Sequence, residues 1–170
     1  QGNFGSIEGD GAAASRYTEV RLSEFAEDSC LRLLSSDCVP MRDNYDGTLK
    51  EPEVLPAVAP MVLLTGAEGI AVGMSTNIPT FNLREAVEAN CYVLTHKNPK
   101  VEKILDIMPG PDFACGGVVC NPDQIEKLYR TGNAHLRVRG KVDVESEKGH
   151  TSLVVSEVPC TMTGSGMISF

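Results

Sequence analysis

No apolar run in this 170-residue chain approaches the roughly 18 residues a membrane-spanning helix needs; the longest, "PMVLLTG" (60–66), is closed by proline and glycine. A transmembrane reading therefore fails. Cysteine pairs at zinc spacing are missing as well. The six cysteines, at 30, 38, 91, 115, 120 and 160, include no C-x-x-C, and three scattered histidines do not complete a zinc site. Asn-x-Ser/Thr is also absent, so free thiols in a reducing cytoplasm are the expectation. A redox pair at Cys115 and Cys120 has only their C-x4-C spacing in its favour. Positive charge is scarce: 15 Lys and Arg stand against 23 Asp and Glu, a formal charge of −8. That argues against a generic nucleic-acid coat, whose affinity comes from neutralising phosphates. Arg16, Arg21, Arg32 and Arg42 fall in the first third, but Glu8, Asp10, Glu19, Glu24, Glu27 and Asp28 are interspersed, and no basic patch stands out. The opening "QGNFGSIEGDGAAAS" has no start methionine, basic n-region or apolar h-region, and "GSGMISF" (164–170) stops on apolar residues, so the sequence reads as an internal piece.

What is present predicts one sizeable domain or two small ones of mixed α and β structure without a repeat. Residues 1–15, rich in Gly, Ala and Ser, read as a loop. A helix is expected from Thr18, with Val20, Leu22, Phe25, Ala26, Cys30, Leu33 and Leu34 on its apolar face and Tyr17 at the loop-to-helix junction. "DNYDGT" (43–48) has turn chemistry, and its glycine falls one place early for a calcium loop. Prolines at 52, 56 and 60 make "EPEVLPAVAP" (51–60) an extended connection and the best internal boundary. "MVLLTGAEGIAVGMSTNIP" (61–79) fits strand, tight turn, then strand or helix start, and matches neither a Rossmann nor a phosphate-loop spacing.

A half-buried helix follows at about 82–95, capped by Asn82 with Glu85 three residues on, and with Leu83, Ala86, Val87, Asn90, Cys91 and Leu94 along one face. "NPKVEKILDIM" (98–108) and "NPDQIEKLYRTG" (121–132) share an Asn cap, a Pro at the first helical position and amphipathic spacing, with Gly132 ending the second. "PGPDFACGG" (109–117) between them is loop. "AHLRVRGKVDVE" (134–145) and "HTSLVVSEV" (150–158) alternate around the turn "SEKG" (146–149) as a hairpin.

The chemistry centres on Arg16-Tyr17. A phenol, with a pKa near 10, is a poor nucleophile at neutral pH until a neighbouring cation or base favours the phenolate. An adjacent guanidinium supplies part of that help and can hold a phosphate by paired hydrogen bonds. On these two residues alone, a tyrosine packed at a helix start explains as much.

The surrounding text decides between the two. "QGNFGSIEGDGAAASRYTEVRLS" resembles the active-site segment of the breakage-reunion subunit of bacterial type IIA DNA topoisomerases, the A subunits of gyrase and topoisomerase IV. "DNYDGT", "EPEVLPAVAP", "GIAVGMSTNIP" (69–79), "NLREAVEA" (82–89), "PGPDF" (109–113), "GG" (116–117) and "YRTG" (129–132) follow in the family's order and spacing, across nearly the whole chain. The resemblance implies an α+β fold. Residues 1–50 would be the end of a winged-helix domain bearing the tyrosine, and 51–170 a mixed α/β tower domain, incomplete at its C-terminus. It implies that Tyr17 attacks DNA and becomes joined to a 5′ end, with Arg16 stabilising charge on the attacked phosphate. Ile70 would insert between base pairs, with Gly69 and Ser15 also at the DNA. Without the resemblance, Ile70 reads as a buried strand residue.

The same resemblance implies no metal or cofactor on this chain, with Mg²⁺ and ATP on an ATPase/Toprim partner. The implied partners are double-stranded DNA, that ATPase/Toprim subunit (gyrase B-like) and a second copy of the breakage-reunion subunit, in a cytoplasmic, chromosome-associated enzyme, with no membrane. The upstream recognition helix and a His-containing loop are not in the sequence, so these residues are expected not to cleave DNA alone. "GAEGIAVGMST" leans toward topoisomerase IV. Two departures stand out. Phe81 occupies a position where the family usually has His, and "EVPCTMTGSGMISF" (157–170) lacks the expected basic residue and helix start. The competing reading is a tower module that binds DNA or a partner protein without cutting. A metabolic domain using Asp10, Asp43 or Asp46 has no spacing to tie those carboxylates together.

Overall fold

The computed structural model describes residues 1–6, 10–34, 37, 39–147, 149–159 and 162–169. The fold is α+β, as expected: short helices and, among the described residues, four separate two-stranded antiparallel ribbons. The chain divides into two units, Gln1–Phe4 with Ala13–Met61, and Gly5–Ala12 with Val62–Phe170.

In the first unit, residues 15–17 form a single 3₁₀ turn, and Thr18 leaves it extended at φ −117°, ψ 143°. The helix expected from Thr18 begins only at Glu24. Ser23 accepts the Ala26 N–H on its hydroxyl and so caps α1 (Glu24–Ala26), which loosens into a π turn over Glu27–Leu31. Ahead of the cap, Glu19 instead pairs with the start of the chain, its N–H donating to the Gln1 carbonyl at 2.8 Å. Val20, Leu22 and Phe25 are consequently exposed rather than lined up on a buried face. β1 (Met41–Asp43) and β2 (Lys50–Pro52) pair antiparallel through ion pairs Arg42–Glu51 at 2.8 Å and Lys50–Asp43 at 2.5 Å. The turn between them is the one expected at Asp46-Gly47: Asp46 Oδ1 accepts from both the N–H and the hydroxyl of Thr48, and these hydrogen bonds hold its carboxyl below the usual carboxylate range.

In the second unit, "MVLLT" is not a strand but one helical turn, α2 (Met61–Thr65). Its Leu63 carbonyl accepts the Phe81 N–H at 2.8 Å. β3 (Ala67–Ala71) and β4 (Met74–Ile78) form a tight hairpin in the register Ala67↔Ile78 to Ala71↔Met74. α3 (Leu83–Thr95) starts where expected, with Asn82 Oδ1 accepting the Arg84 N–H. Its inward face differs from the one expected. Ala86 and Ala89 are buried, with Glu85 and Tyr92 half-buried, whereas Leu83, Val87, Cys91 and Leu94 are exposed. Small side chains are what admit the bulky Phe81 and Met108, which lie against Ala86 and Ala89 in the core.

α4 (Val101–Ile107) follows Lys100 without a side-chain cap, so Asn98-Pro99 stands outside the helix. α5 (Asp123–Thr131) lacks its expected Asn cap for a different reason. The Asn121 side chain is already engaged by the Arg137 N–H at 2.8 Å and the His135 carbonyl at 2.7 Å. Gly132, at φ 66°, ends α5 as expected. β5 (Val118–Val119) pairs with β6 (Val138–Arg139), and β7 (Lys141–Glu147) with β8 (His150–Glu157), so the expected hairpin is present but its first strand begins at Lys141 rather than at 134, residues 138–139 being taken by β5. The Gly117 N–H donates to Glu157 Oε2 at 2.6 Å, tying the "GG" loop to the end of β8. The helix start found missing in the sequence is present: Thr163 caps α6 (Gly164–Ile168) by accepting the Gly166 N–H.

The core is Phe81, Ala86, Ala89 and Met108, with Leu63, Leu64, Ile104, Ile107 and Tyr129 packed around it. Phe81 and Tyr129 meet edge to face at 6.1 Å, and the Tyr129 hydroxyl donates to the Met108 carbonyl at 2.7 Å. Burial, helped by the negative charge of Glu85, pushes the Tyr129 phenol well above its usual value, so this tyrosine is a neutral structural donor. Phe81, where a polar role was in question, is the centre of the core. Phe81→Ala is expected to cost about 3 kcal/mol in urea unfolding, by loss of burial and creation of a cavity.

On the surface, Arg130 bridges Glu102 and Glu126 and joins α4 to α5. Its hydrogen bond holds the Glu102 carboxyl below the usual range. Because the folded-state value is depressed, this bridge contributes above the carboxylate's unfolded value and is lost as pH falls through the folded one. Arg130→Gln should return Glu102 to the ordinary carboxylate range in a carbon-13 NMR titration.

Candidate active-site turn and hairpin

Tyr17 ends the 3₁₀ turn, its N–H donating to the Ala14 carbonyl at 2.9 Å. The Ser15 carbonyl accepts both the N–H and the hydroxyl of Thr18, at 3.3 and 3.2 Å. The opening residues clasp this turn on either side. Besides the Glu19–Gln1 bond, the Ala13 N–H donates to the Asn3 carbonyl at 3.0 Å. Gly2 lies against the turn's backbone at φ +118°, where an added Cβ would stand 2.9 Å from the Tyr17 carbonyl oxygen and 3.1 Å from Thr18 Cα. Only glycine permits that approach.

Tyr17 is 67% exposed, and the Arg16 guanidinium carbon sits 4.7 Å from its ring centroid. That is within cation–π range, so the guanidinium is carried on the face of the phenol it neighbours in sequence. The arrangement is a backbone held by hydrogen bonds that presents an exposed phenol and a neighbouring cation together. Ser15 is exposed on the same turn.

Gly69 and Ile70 belong to the second unit, on β3. Ile70 faces Ser75 one pair from the end of the hairpin. It is 93% exposed, so the expected alternative of a buried strand isoleucine does not hold. Beside it the turn residue Val72 is fully exposed and Met74 is 73% exposed. Gly73 closes the turn at φ +79°, in the left-handed region that a side chain disfavours. The five expected site residues thus fall into two groups, Ser15, Arg16 and Tyr17 on one turn and Gly69 and Ile70 on one hairpin. Sequence reasoning passed over Val72 and Met74. The signal available was Val72-Gly73 at the centre of two alternating stretches, a valine where turns favour Gly, Asn or Asp.

Among the described residues no group of three or more His, Cys, Asp or Glu is placed to hold a metal ion. No disulfide joins Cys115 and Cys120, the suggested redox pair. No helix is long and apolar enough to cross a membrane among the described residues.

Neither the exposed tyrosine on its clasped turn nor the bare apolar hairpin lies in a cleft of the kind that holds a small molecule. The family model for the A subunit of DNA gyrase/topoisomerase IV matches residues 1–170, and the chain belongs to that family. It is 48% identical over 168 residues to the DNA gyrase A subunit of Thermotoga maritima, covering 99% of this chain and 21% of that protein. It is 45% identical over 170 residues to the gyrase A subunit of Chlamydia muridarum, covering 99% and 20%. Against that of Helicobacter pylori strain J99 the identity is 45% over 159 residues, covering 94% and 19%. The chain thus spans about a fifth of the length of these relatives. All three are gyrase subunits, so they lend nothing to the lean toward topoisomerase IV.

Gly2→Ala should displace the Tyr17 turn without unfolding the second unit. The expected result is chemical-shift change concentrated at residues 13–19 in amide NMR spectra, with the Phe81 and Tyr129 signals unmoved.

Proposed function

We propose that this chain is part of the DNA-cleaving and rejoining subunit of an ATP-dependent type II topoisomerase, with Tyr17 as nucleophile. The observation that carries the reading is the Arg16 guanidinium lying over the exposed Tyr17 ring on a clasped turn, in a chain of this family. The Tyr17 oxygen forms a bond to a backbone phosphorus while the bond from that phosphorus to the 3′ oxygen breaks. The phenol proton passes by way of a base to the departing 3′ oxygen, which leaves as a hydroxyl, and the 5′ phosphate stays on the tyrosine. One phosphodiester is exchanged for another, so resealing needs no new fuel. Arg16 offers the phosphate a fixed positive charge and paired donors as charge shifts onto its oxygens. Ser15 lies beside the attacked strand. Ile70, supported by its exposure, inserts between base pairs and bends the duplex, with Gly69 admitting close approach of the DNA.

In this reading residues 1–50 are the end of a winged-helix domain and 51–170 belong to a tower domain. Mg²⁺ and ATP belong to a partner subunit, so no step performed by this chain runs through them. The partners are double-stranded DNA, an ATPase/Toprim protein of the gyrase B type and a second copy of the breakage-reunion subunit, in the cytoplasm at the chromosome. The chain's −8 charge supports a site completed by other segments, since phosphate binding needs cations this piece does not supply in excess.

The test places this segment in a full-length breakage-reunion subunit with its ATPase/Toprim partner, Mg²⁺ and end-labelled duplex, and traps the reaction with denaturant. Protein should become attached to 5′ ends in the parent and not in Tyr17→Phe. Arg16→Ala should lower the yield by about 10²-fold, and Arg16→Lys by less. Binding without any Tyr17-dependent adduct would leave only a DNA-binding tower module.

A further inference from the structure

The hairpin β3–β4 ends in three apolar side chains, not one, and its apex is built against local preference. Ile70 and Val72 stand two residues apart, with Met74 across the ribbon, paired to Ala71. The favoured two-residue hairpin turns take Gly, Asn or Asp at their first central place. Here a β-branched valine takes the first place and lies fully in solvent. It contributes neither to packing nor to turn geometry, which leaves contact with something outside the unit as its physical rationale.

We propose that Val72 is a second DNA-inserting residue, leading Ile70 into the base stack and selecting which steps are bent and cut. This rests on the reading of Ile70 as a wedge. Three features of the hairpin favour DNA as the occupant. First, residues 67–78 hold a single charged side chain, Glu68, which pairs with Asn77 three positions back from Ala71↔Met74, so no carboxylate meets phosphates near the tip. Second, β4 carries Ser75, Thr76 and Asn77, uncharged groups able to donate to backbone phosphates and sugars. Third, the tip is narrow: one turn between two strands, with its apolar atoms at the apex, the shape of a wedge that partly unstacks a base step. Two adjoining apolar groups widen the wedge, and a wider wedge discriminates more strongly in favour of pyrimidine–purine steps, which unstack most cheaply.

The test compares Val72→Ser, Val72→Ile and Ile70→Ala in the full-length protein when it is assembled with its ATPase/Toprim partner. Duplex bending is read by fluorescence transfer between end dyes, and cleavage positions on a long end-labelled duplex. Val72→Ser should keep the melting temperature and duplex affinity of the parent. It should lower the bent fraction by about tenfold, as loss of one buried valine contact implies, and spread cleavage away from pyrimidine–purine steps. Val72→Ile should restore both. If Ile70→Ala abolishes bending while Val72→Ser bends and cuts as the parent does, the proposal fails and the Ile70 wedge stands. If neither variant changes bending, the wedge reading itself falls. A lowered melting temperature or weakened assembly with the partner in Val72→Ser, with normal bending, would assign Val72 to a protein contact and overturn the proposal.

Discussion

The Tyr129 ring meets Phe81 edge to face, and the second unit is organised around that contact. It brings the start of α3, through Phe81, against α5, while the Tyr129 hydroxyl reaches the end of α4 at the Met108 carbonyl. Such a ring pair contributes about 1 kcal/mol beyond its buried area. Its larger consequence is steric. Two large side chains in one place require small ones opposite, and Ala86 and Ala89 supply them. The side of α3 that faces inward follows from this, as does the anchoring of α2, whose Leu63 carbonyl accepts the Phe81 amide.

The groups with chemical potential sit elsewhere, on short turns that bury almost nothing. Tyr17 is positioned by backbone hydrogen bonds from the residues that clasp its turn, and Ile70 and Val72 by a ribbon of five residue pairs. That division has a physical logic. Backbone hydrogen bonding fixes where a turn points without covering its side chains, which stay in solvent. The contrast between the two tyrosines makes the point. Tyr129 is half-buried, donates to a carbonyl and is held neutral, while Tyr17 is exposed beneath a guanidinium. Both are tyrosines, and surroundings alone separate scaffold from candidate nucleophile.

Some of the chain's charged side chains form local pairs, Arg42 with Glu51 and Lys50 with Asp43 on the β1–β2 ribbon, and Arg130 with Glu102 and Glu126 between α4 and α5. Exposed pairs of this kind contribute little to stability. The β3–β4 hairpin, with one charged residue, stands apart from that pattern.

Much was legible in the sequence because it depends on neighbours a few residues away. The Asp46-Gly47 turn, the Asn82 cap, the Gly132 stop and the alternation of β7 and β8 are all local, and the family was readable from "SRYTE" and the motifs behind it. The errors share one cause. Thr18–Ser23 has a helical rhythm, but Glu19 pairs with Gln1 at the start of the chain, and Asn121 is a good cap that His135 and Arg137, just ahead of β6, claim first. Periodicity predicted an apolar stripe on α3 but not which side of the helix Phe81 and Met108 would press. Ile70 has the composition of a buried strand residue, and its exposure depends on whether anything packs across the hairpin. The sequence by itself determined the family, the turns and the caps, which are matters of local chemistry. Which apolar side chains are core and which stand in solvent was decided only by tertiary structure, because burial is a property of what lies opposite.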